Sequence, residues 1–366
     1  MLARTPALLV DVTVMRRNID EMAQRSAAAG MSLWPHAKTH KCAPIGRLQL
    51  AAGASGLTVA TLDEAFYFAG NGVADLLVAY PLVGGWREAA VEELAARVRL
   101  RMVVESHDVF SAVRRVAARV RKQIEVFWEV DSGAGRLGTP PGAATVSAIA
   151  ACGQDSWTPL AGLLTFPGHA YRAPDDDRLR AIAGDEITAL TTTADLLAQA
   201  QHPVSELSIG STPTLRFLAP QTDRYGWQAR PGVYVFNDAT QVALGAARIE
   251  QCALSVAATV LAKPQPDRII LDAGSKALGA DRSSERVPGF GLVAGHPELT
   301  VAGLYEQHAI VHSDTPIDLK VGERVRVIPN HACAAVNLHP RLYLMGDDDE
   351  GDAEGDTWQI GARGPG

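Results

Sequence analysis

The residues best suited to chemistry lie near the N-terminus, in Pro-His-Ala-Lys-Thr-His-Lys at positions 35–41. Pro35 cannot donate a hydrogen bond to a sheet, so the preceding apolar run is predicted to be a strand that ends here. Alternate residues of an extended chain share a face, which predicts that His36, Lys38 and His40 point the same way. Neighbouring groups that can carry positive charge favour the neutral, nucleophilic form of a lysine amine. The segment therefore predicts a lysine that bonds covalently to a carbonyl compound. A solvated basic loop is the alternative interpretation.

A second pair of residues, His331 and Cys333, follows a strand predicted at Arg324–Ile328. In extended geometry an imidazole and a thiolate two residues apart point to one side and can share one metal ion. Two protein ligands leave open coordination positions, as a catalytic site requires. A soft sulfur ligand favours Zn²⁺ and disfavours Mg²⁺ and Ca²⁺. A buried thiol beside a turn histidine is the alternative interpretation.

Three other segments that follow predicted strands carry polar groups suited to an anionic ligand. A glycine-rich turn at 132–138 holds an arginine that can donate to an anionic oxygen or pair with a carboxylate of the preceding strand. A Gly-Ser-Thr turn after the strand Glu206–Ile209 offers backbone N–H groups and hydroxyls to a phosphate. A histidine and a tyrosine follow the strand Leu160–Leu164. The candidate residues are Arg136, His169, Tyr171, Gly210, Ser211 and Thr212.

The elements that must position these residues alternate between strand and helix patterns up to about residue 240. Many strands are continuous apolar runs, as expected for strands buried on both faces of a parallel sheet. About eight strand–helix units fit in this span, so residues 1–240 are predicted to form a (β/α)8 barrel with its active site at the carboxyl ends of the strands. An open doubly wound sheet is the alternative, but no GxGxxG follows the first strand. Residues 241–366 are predicted to form a β-rich domain, which the first strand of the chain could also join.

Composition narrows the class of protein. Hydrophobic residues make up 47% of the 366 residues and charged residues 20%, which is typical of a globular protein. The net charge of −7 and the absence of a long basic block argue against nucleic-acid binding. Four scattered cysteines without CxxC, no membrane span and no signal-peptide core predict a cytoplasmic protein with reduced thiols. The acidic tract Asp347–Asp356 is predicted to be a solvated loop, with a weak metal site as the alternative.

Taken in order, these motifs resemble the D-serine dehydratase and D-threonine aldolase group, which are pyridoxal-phosphate (PLP) enzymes with an alanine-racemase-like barrel. The resemblance begins at Thr5-Pro6-Ala7-Leu8 and extends to the last β segment. The segments that carry it are 35–41, Glu129–Gly138, Ile209–Thr214, Ala229–Asp238 and Pro329–Asn337.

The resemblance implies that Lys38 carries PLP, that Arg136 lies near its phenolic oxygen and that His169 stacks on its ring. The other implied contacts are Tyr171 at the same site, Gly210, Ser211 and Thr212 at the phosphate, Arg230 at the pyridine nitrogen, and Gly232 to Tyr234 at the phosphate. Lys276, in Asp-Ala-Gly-Ser-Lys, is a rival for the cofactor lysine, but it lies in the predicted β-rich part of the chain.

The implied activity is that of a PLP- and metal-dependent lyase acting on D-3-hydroxy amino acids. His331 and Cys333 would bind the metal, with Zn²⁺ preferred and Mn²⁺ or Mg²⁺ as alternatives. His-x-Cys favours a dehydratase that forms a keto acid and ammonia, because well-known D-threonine aldolases carry His-x-Asp here. A retro-aldol lyase, an amino-acid racemase and a non-catalytic PLP-binding protein are the alternatives. The resemblance also implies a homodimer, and a small-molecule substrate as the only other partner.

Overall fold

The computed structural model describes residues 4–217, 219, 224–282, 284–346 and 357–363. The chain forms two compact units. One combines the chain up to Glu21, the short segment Thr39–Cys42 and the chain from Val233 onward, and the other combines Met22–Lys38 with Ala43–Gly232. The acidic tract predicted at Asp347–Asp356 lies outside the described residues.

The chain starts with a buried strand and a long helix, β1 (Ala7–Asp11) and α1 (Val12–Ala28). Asp11 marks the change from strand to helix, because its Oδ1 accepts a hydrogen bond from the Val14 N–H at 2.9 Å. A side-chain acceptor at this position satisfies one of the N–H groups that a helix start leaves unpaired.

Strand and helix then alternate as the sequence predicts. The elements are β2 (Met31–Leu33), α2 (Ala43–Ala51), β3 (Leu57–Val59), α3 (Leu62–Gly70), β4 (Asp75–Val78), α4 (Gly85–Arg97), β5 (Arg99–Val104), α5 (His107–Val120), β6 (Glu125–Glu129), α6 (Ala143–Cys152), β7 (Leu160–Leu164), α7 (Asp176–Gln199), β8 (Glu206–Ile209) and β9 (Gly226–Ala229).

The eight strands β2 to β9 form one sheet in the order β2-β9-β8-β7-β6-β5-β4-β3. Every neighbouring pair is parallel. The two ends of the sheet also meet, because the N–H groups of Ser55 and Thr58 donate to the carbonyls of Leu33 (2.9 Å) and Pro35 (2.8 Å). The predicted α/β barrel is therefore confirmed, and its interior holds a buried apolar cluster of Trp34, Leu77, Val103, Phe127 and Leu164.

The remaining elements belong to the unit that contains β1. They are α8 (Ala239–Ala243), β10 (Leu254–Gln265), β11 (Arg268–Leu271), α9 (Ser275–Leu278), β12 (Gly291–Val293), β13 (Thr300–Leu304), β14 (Ala309–His312), β15 (Arg324–Pro329), α10 (Ala332–Leu338), β16 (Arg341–Met345) and β17 (Thr357–Gln359). Their strands form a second sheet, ordered β11-β14-β13-β12-β15-β10-β1-β16-β17. The predicted β-rich character of this region is confirmed.

The sequence interpretation was wrong about the backbone around the lysine segment. Strand β2 ends at Leu33, and Ala37–Thr39 form a single 3₁₀ turn. Side chains in a 3₁₀ turn do not alternate between two faces, so His36, Lys38 and His40 do not share a strand face. The 3₁₀ turn begins directly after His36, which pairs with Thr58 through a single parallel bridge. Strand pairing ends at that bridge.

Helices α6 and α7 also differ from the sequence interpretation. Helix α6 was not predicted, because its small residues give no clear apolar stripe and only Thr145, Ile149 and Cys152 are buried. The sequence pattern predicts a helix over Asp185–Gln199, but α7 starts earlier, at Asp176. Asp175 caps it by accepting from the Arg178 N–H at 2.8 Å. Strand β9 was not predicted as a strand.

No helix in the described ranges is long and apolar enough to cross a membrane. Within the same ranges, all four cysteines are without a disulfide bond.

Candidate active site

The candidate residues of the barrel follow the carboxyl ends of its strands, where ligand sites of such barrels lie. Lys38 follows β2, and its Nζ lies 5.5 Å from the centroid of the Phe166 ring, just after β7. Arg136, which follows β6, places its Cζ 4.7 Å from the same centroid. Lys38 and Arg136 are 98 positions apart in the sequence, but both side chains contact the same aromatic ring.

The turn that carries Arg136 is held by acidic residues of β6 and the turn after it. Asp131 Oδ1 accepts hydrogen bonds from the N–H groups of Gly133 (2.9 Å) and Gly135 (3.1 Å). Arg136 Nη2 lies 3.6 Å from Glu129 Oε1. Burial raises the pKa of Glu129, although the nearby Arg136 opposes that rise. The arginine therefore has one carboxylate partner and an exposed side that remains available to an anionic ligand.

His169 lies in a 3₁₀ turn, Gly168–Arg172, directly after the Phe166 segment. Its Nδ1 is buried and has no hydrogen-bond partner among the described residues. Gly133 has φ +118°, and a Cβ there would lie 3.3 Å from His169 Nε2, so only glycine lets the ring approach this turn closely. Burial lowers the pKa of His169, which favours the neutral ring. A neutral, flat side chain with an unsatisfied nitrogen suits stacking on a ligand ring.

The Gly-Ser-Thr turn after β8 is buried, and a hydrogen bond to α7 holds it in place. Gly210 has φ +107°, and a Cβ there would lie 2.9 Å from Leu215 Cδ2. The Gly210 N–H donates to Glu186 Oε1 at 3.0 Å, so this N–H is already engaged by α7. Ser211 N–H donates to Thr214 Oγ1 at 3.2 Å. Ser211 Oγ also lies 3.2 Å from Thr214 Oγ1, so phosphate contacts from Ser211 and Thr212 stay a prediction.

Arg230 follows β9 and is almost completely buried. Its Nη1 donates to Ser208 Oγ at 2.5 Å and its Nη2 donates to the Thr165 carbonyl. Burial lowers its pKa to about 10, against the attraction of Glu186 and Glu129. The guanidinium is therefore fixed in the barrel and still charged at neutral pH.

Glu186 is a buried acidic residue of this region that the sequence interpretation missed. It is buried on α7, and burial raises its pKa to about 7. A signal for it was present, since Glu186 stands four residues from both Ile182 and Leu190 on the buried face of the helix. A carboxylate among apolar residues at helical spacing indicates a side chain with a specific buried partner.

For three other candidates the structure gives the position in the chain but no contact that bears on a cofactor. Tyr171 lies in the same 3₁₀ turn as His169, and Gly232 and Tyr234 follow Arg230. Tyr234 is buried in the turn Val233–Val235. Their contacts to a cofactor remain predictions.

The rival lysine is engaged elsewhere. Lys276 stands at the start of α9, and its exposed Nζ pairs with Glu306 Oε2 at 2.6 Å. Glu306 is thereby engaged in an ion pair at the surface.

The predicted metal pair is close, but through a different backbone from the extended one predicted. His331 caps α10 in an extended conformation, and Cys333 lies in the first turn of that helix. The Cys333 thiol is within hydrogen-bonding reach of the His331 ring. Within the described ranges, no three His, Cys, Asp or Glu side chains are arranged to hold one metal ion. Metal binding by His331 and Cys333 therefore stays a prediction.

Asp281 also belongs to this cluster, and no local pattern indicates it, since it lies 50 residues before His331. Its Oδ2 lies 2.5 Å from His331 Nδ1. A carboxylate on one ring nitrogen fixes the histidine tautomer and leaves the other nitrogen for a metal. Burial opposes the charged ring, but Cys333 and Asp281 together hold the pKa of His331 well above its usual value.

Asp238 anchors the start of α10 beside the pair. Its buried carboxylate accepts from the N–H groups of Ala332 (Oδ2) and Gln241 (Oδ1), both at 2.9 Å. One side chain thus caps two short helices, α8 and α10, and fixes the backbone between His331 and Cys333.

Two family models match this chain in succession. The model described as "Alanine racemase, N-terminal domain" matches residues 10–240, and the model described as "Putative serine dehydratase domain" matches residues 253–345. The chain belongs to the alanine racemase N-terminal domain family. Its relatives include the D-threo-3-hydroxyaspartate dehydratase of Delftia sp. (strain HT23), which is 34% identical over 94% of each chain. They also include the D-threonine aldolase of Arthrobacter sp., which is 30% identical over 98% of this chain and 93% of the relative.

Solved structures of family members agree with the fold. The Delftia sp. HT23 dehydratase has a TM-score of 0.88 and 32% identity over 98% of both chains. Two variants of that D-threo-3-hydroxyaspartate dehydratase have TM-scores of 0.87: a His-to-Ala mutant, and a Cys-to-Ala mutant in the metal-free form. In that family member the replaced cysteine lies two positions after the replaced histidine, the spacing found in this chain.

Proposed function

We propose that this protein is a PLP- and metal-dependent lyase that eliminates the hydroxyl of a D-3-hydroxy amino acid to give a keto acid and ammonia. The observation that carries the proposal is the meeting of Lys38 and Arg136 on Phe166 at the carboxyl ends of the barrel strands. An amine and a guanidinium at this face suit a cofactor that bonds to lysine and carries an anionic ring oxygen.

The barrel residues fit PLP by their chemistry. Ser211 and Thr212 would hold the phosphate, and the unsatisfied Nδ1 of His169 lies on a ring that can stack on the cofactor. Arg230 would contact the pyridine nitrogen. Its hydrogen bonds to Ser208 and Thr165 hold the guanidinium in one orientation. Tyr171, Gly232 and Tyr234 are retained as further cofactor contacts.

Lys38 would carry the cofactor and, once the substrate amine has displaced it, its Nζ would take the proton from the substrate Cα. When bound, PLP would stabilise the negative charge that develops on that carbon. Glu129 Oε1 lies 3.6 Å from Arg136 Nη2 and would pair with the exposed guanidinium beside the cofactor.

His331 and Cys333 would bind a divalent metal, with Asp281 orienting the histidine. When bound, the ion would act as a Lewis acid on the 3-hydroxyl of the substrate. A thiolate ligand favours Zn²⁺ over Mn²⁺ or Mg²⁺. Solved structures of a histidine variant and a metal-free cysteine variant of D-threo-3-hydroxyaspartate dehydratase support this assignment.

Product analysis tests the proposal. Purified protein is incubated with D-serine, D-threonine and D-3-hydroxyaspartate, and keto acid with ammonia is measured against glycine with an aldehyde. We expect keto acid and ammonia from at least one substrate, and none from Lys38→Ala. Turnover of none of the three by cofactor- and metal-loaded protein would contradict the proposal.

A retro-aldol lyase is the second candidate, because a D-threonine aldolase is 30% identical over nearly the whole chain. Glycine and an aldehyde as the main products would favour it. A racemase would instead give the L-amino acid. A non-catalytic PLP-binding protein has least support, since the match to a serine dehydratase domain extends well beyond the barrel. A cytoplasmic homodimer remains part of the proposal.

A further inference from the structure

The residue that follows the cofactor lysine has an unexpected partner. Thr39 is fully buried, and its Oγ1 lies 3.2 Å from the Sγ of Cys333. Cysteine and threonine are 294 positions apart in the sequence, so this contact is built by the fold. One peptide bond separates Thr39 from Lys38.

A second contact ties the same segment to the same helix. Lys41 Nζ donates to Asn337 Oδ1 at 2.8 Å and to the Ala362 carbonyl at 3.2 Å. Asn337 stands four residues after Cys333 on α10, so both contacts use one face of the helix. The backbone turns sharply at Lys41, where φ is +47°. The segment Thr39–Cys42 is therefore fastened to the helix that carries Cys333.

The direction of the Thr39 hydrogen bond follows from metal chemistry. A cysteine that binds a metal is a thiolate and has no proton, so it can only accept. The Thr39 hydroxyl must then donate to it. Hydrogen bonds to metal ligands from neighbouring residues orient the ligand and adjust its charge, and losing one typically lowers metal affinity about 10- to 100-fold.

We infer that Thr39 is a positioning residue that holds the Cys333 thiolate for the metal and links the metal ligand to the lysine that carries the cofactor. The inference rests on the proposed function, because it assumes a metal on Cys333 and PLP on Lys38. Binding or loss of the metal would change the hydrogen bond between Thr39 and Cys333. The resulting shift of Thr39 would be transmitted to Lys38 through the one peptide bond that joins them. The cofactor at Lys38 would then report on metal occupancy.

The experiment compares Thr39→Val with Thr39→Ser in the cofactor-loaded protein. Valine has nearly the same shape but no hydroxyl, whereas serine keeps the donor. Thr145→Val is the matched control, because Thr145 on α6 is equally buried but its hydroxyl donates to the Pro140 carbonyl. Zn²⁺ affinity is measured by competition with a chromogenic chelator. The absorption band of the bound cofactor is recorded as the metal is removed and returned.

Wild type, Thr39→Ser and Thr145→Val should bind Zn²⁺ alike and show the same change of the cofactor band on metal removal. Thr39→Val should bind Zn²⁺ about 10- to 100-fold more weakly. Its cofactor band should no longer respond to the metal. If Thr39→Val does not fold, Thr39→Ala is measured in the same way.

Thr39→Val with wild-type affinity and a wild-type band response would overturn the inference alone. Wild-type protein that binds neither Zn²⁺ nor PLP would overturn the proposed function, and the inference with it. The two failures are therefore distinguishable.

Discussion

Replacing Glu186 by glutamine should stabilise the protein at alkaline pH, although Glu186 lies directly beneath the proposed phosphate turn. Glutamine keeps the Oε1 that accepts from the Gly210 N–H, so the turn retains its anchor. What the substitution removes is a carboxylate that burial makes costly to ionise.

The size of the effect follows from the pKa of Glu186, which is about 7 in the folded protein against an ordinary value of 4.5. Between these values the folded protein holds a proton that the unfolded chain has lost, so the free energy of unfolding falls as pH rises. The slope is about 1.4 kcal/mol per pH unit, which amounts to about 3 kcal/mol of destabilisation, complete above pH 7. The attraction to Arg230 already opposes the rise of this pKa and is included in it.

Urea denaturation of wild type and Glu186→Gln at pH 5, 7 and 8.5 measures the effect. The two proteins should have similar midpoints at pH 5, and the variant should have the higher midpoint at pH 8.5. Asp185→Asn is the control, because Asp185 is the preceding residue of α7 and is exposed. A variant whose midpoint follows pH as wild type does would show that Glu186 does not ionise in this window, and the reasoning would fail.

Borohydride reduction and peptide mapping should label Lys38; label on Lys276 would refute the site assignment. Arg136→Ala should weaken PLP binding and leave the thermal midpoint nearly unchanged, since the side chain is largely exposed; unchanged PLP affinity in a titration would show that Arg136 does not bind the cofactor. Asp281→Asn should lower Zn²⁺ affinity by about 10-fold or more, as measured by chelator competition, because an amide holds the His331 ring less firmly; equal affinity would contradict the orienting role. Cys333→Asp should shift the metal preference toward Mn²⁺ or Mg²⁺ in activity and metal-content assays, because carboxylate is a harder ligand; continued preference for Zn²⁺ would argue against Cys333 as a ligand.

The barrel was predictable because its strands are short, continuous apolar runs separated by amphipathic helices. The strand Leu160–Leu164 was predicted at its observed bounds, and so was Glu206–Ile209. Candidate residues just after such strands could be placed on one face of the barrel without knowing any contact, since carboxyl ends of parallel strands meet at the same edge.

Contacts across large separations could not be predicted, because no local pattern encodes them. Asp281 and His331 are an example, and Thr39 and Cys333 are another. The alternating face proposed for the lysine segment failed for a local reason: the ladder ends at one bridge, and a 3₁₀ turn then changes the direction of every side chain. The assumption of an extended backbone correctly predicted that His331 and Cys333 lie close together. The first turn of α10, and not a strand, is what brings them together.

The proposed place of Arg230 at the pyridine nitrogen bears on why the proposed elimination would use a metal. Arg230 is charged at neutral pH, since its pKa of about 10 lies well above 7. A cation at the pyridine nitrogen of PLP opposes a proton there and makes the ring a weaker acceptor of electrons. A weaker acceptor stabilises less of the charge that elimination develops, so departure of a hydroxide needs assistance at the hydroxyl itself. A Lewis acid held by His331 and Cys333 is the group that would supply it. The buried arginine is thus a reason for a dehydratase of this design to carry a metal.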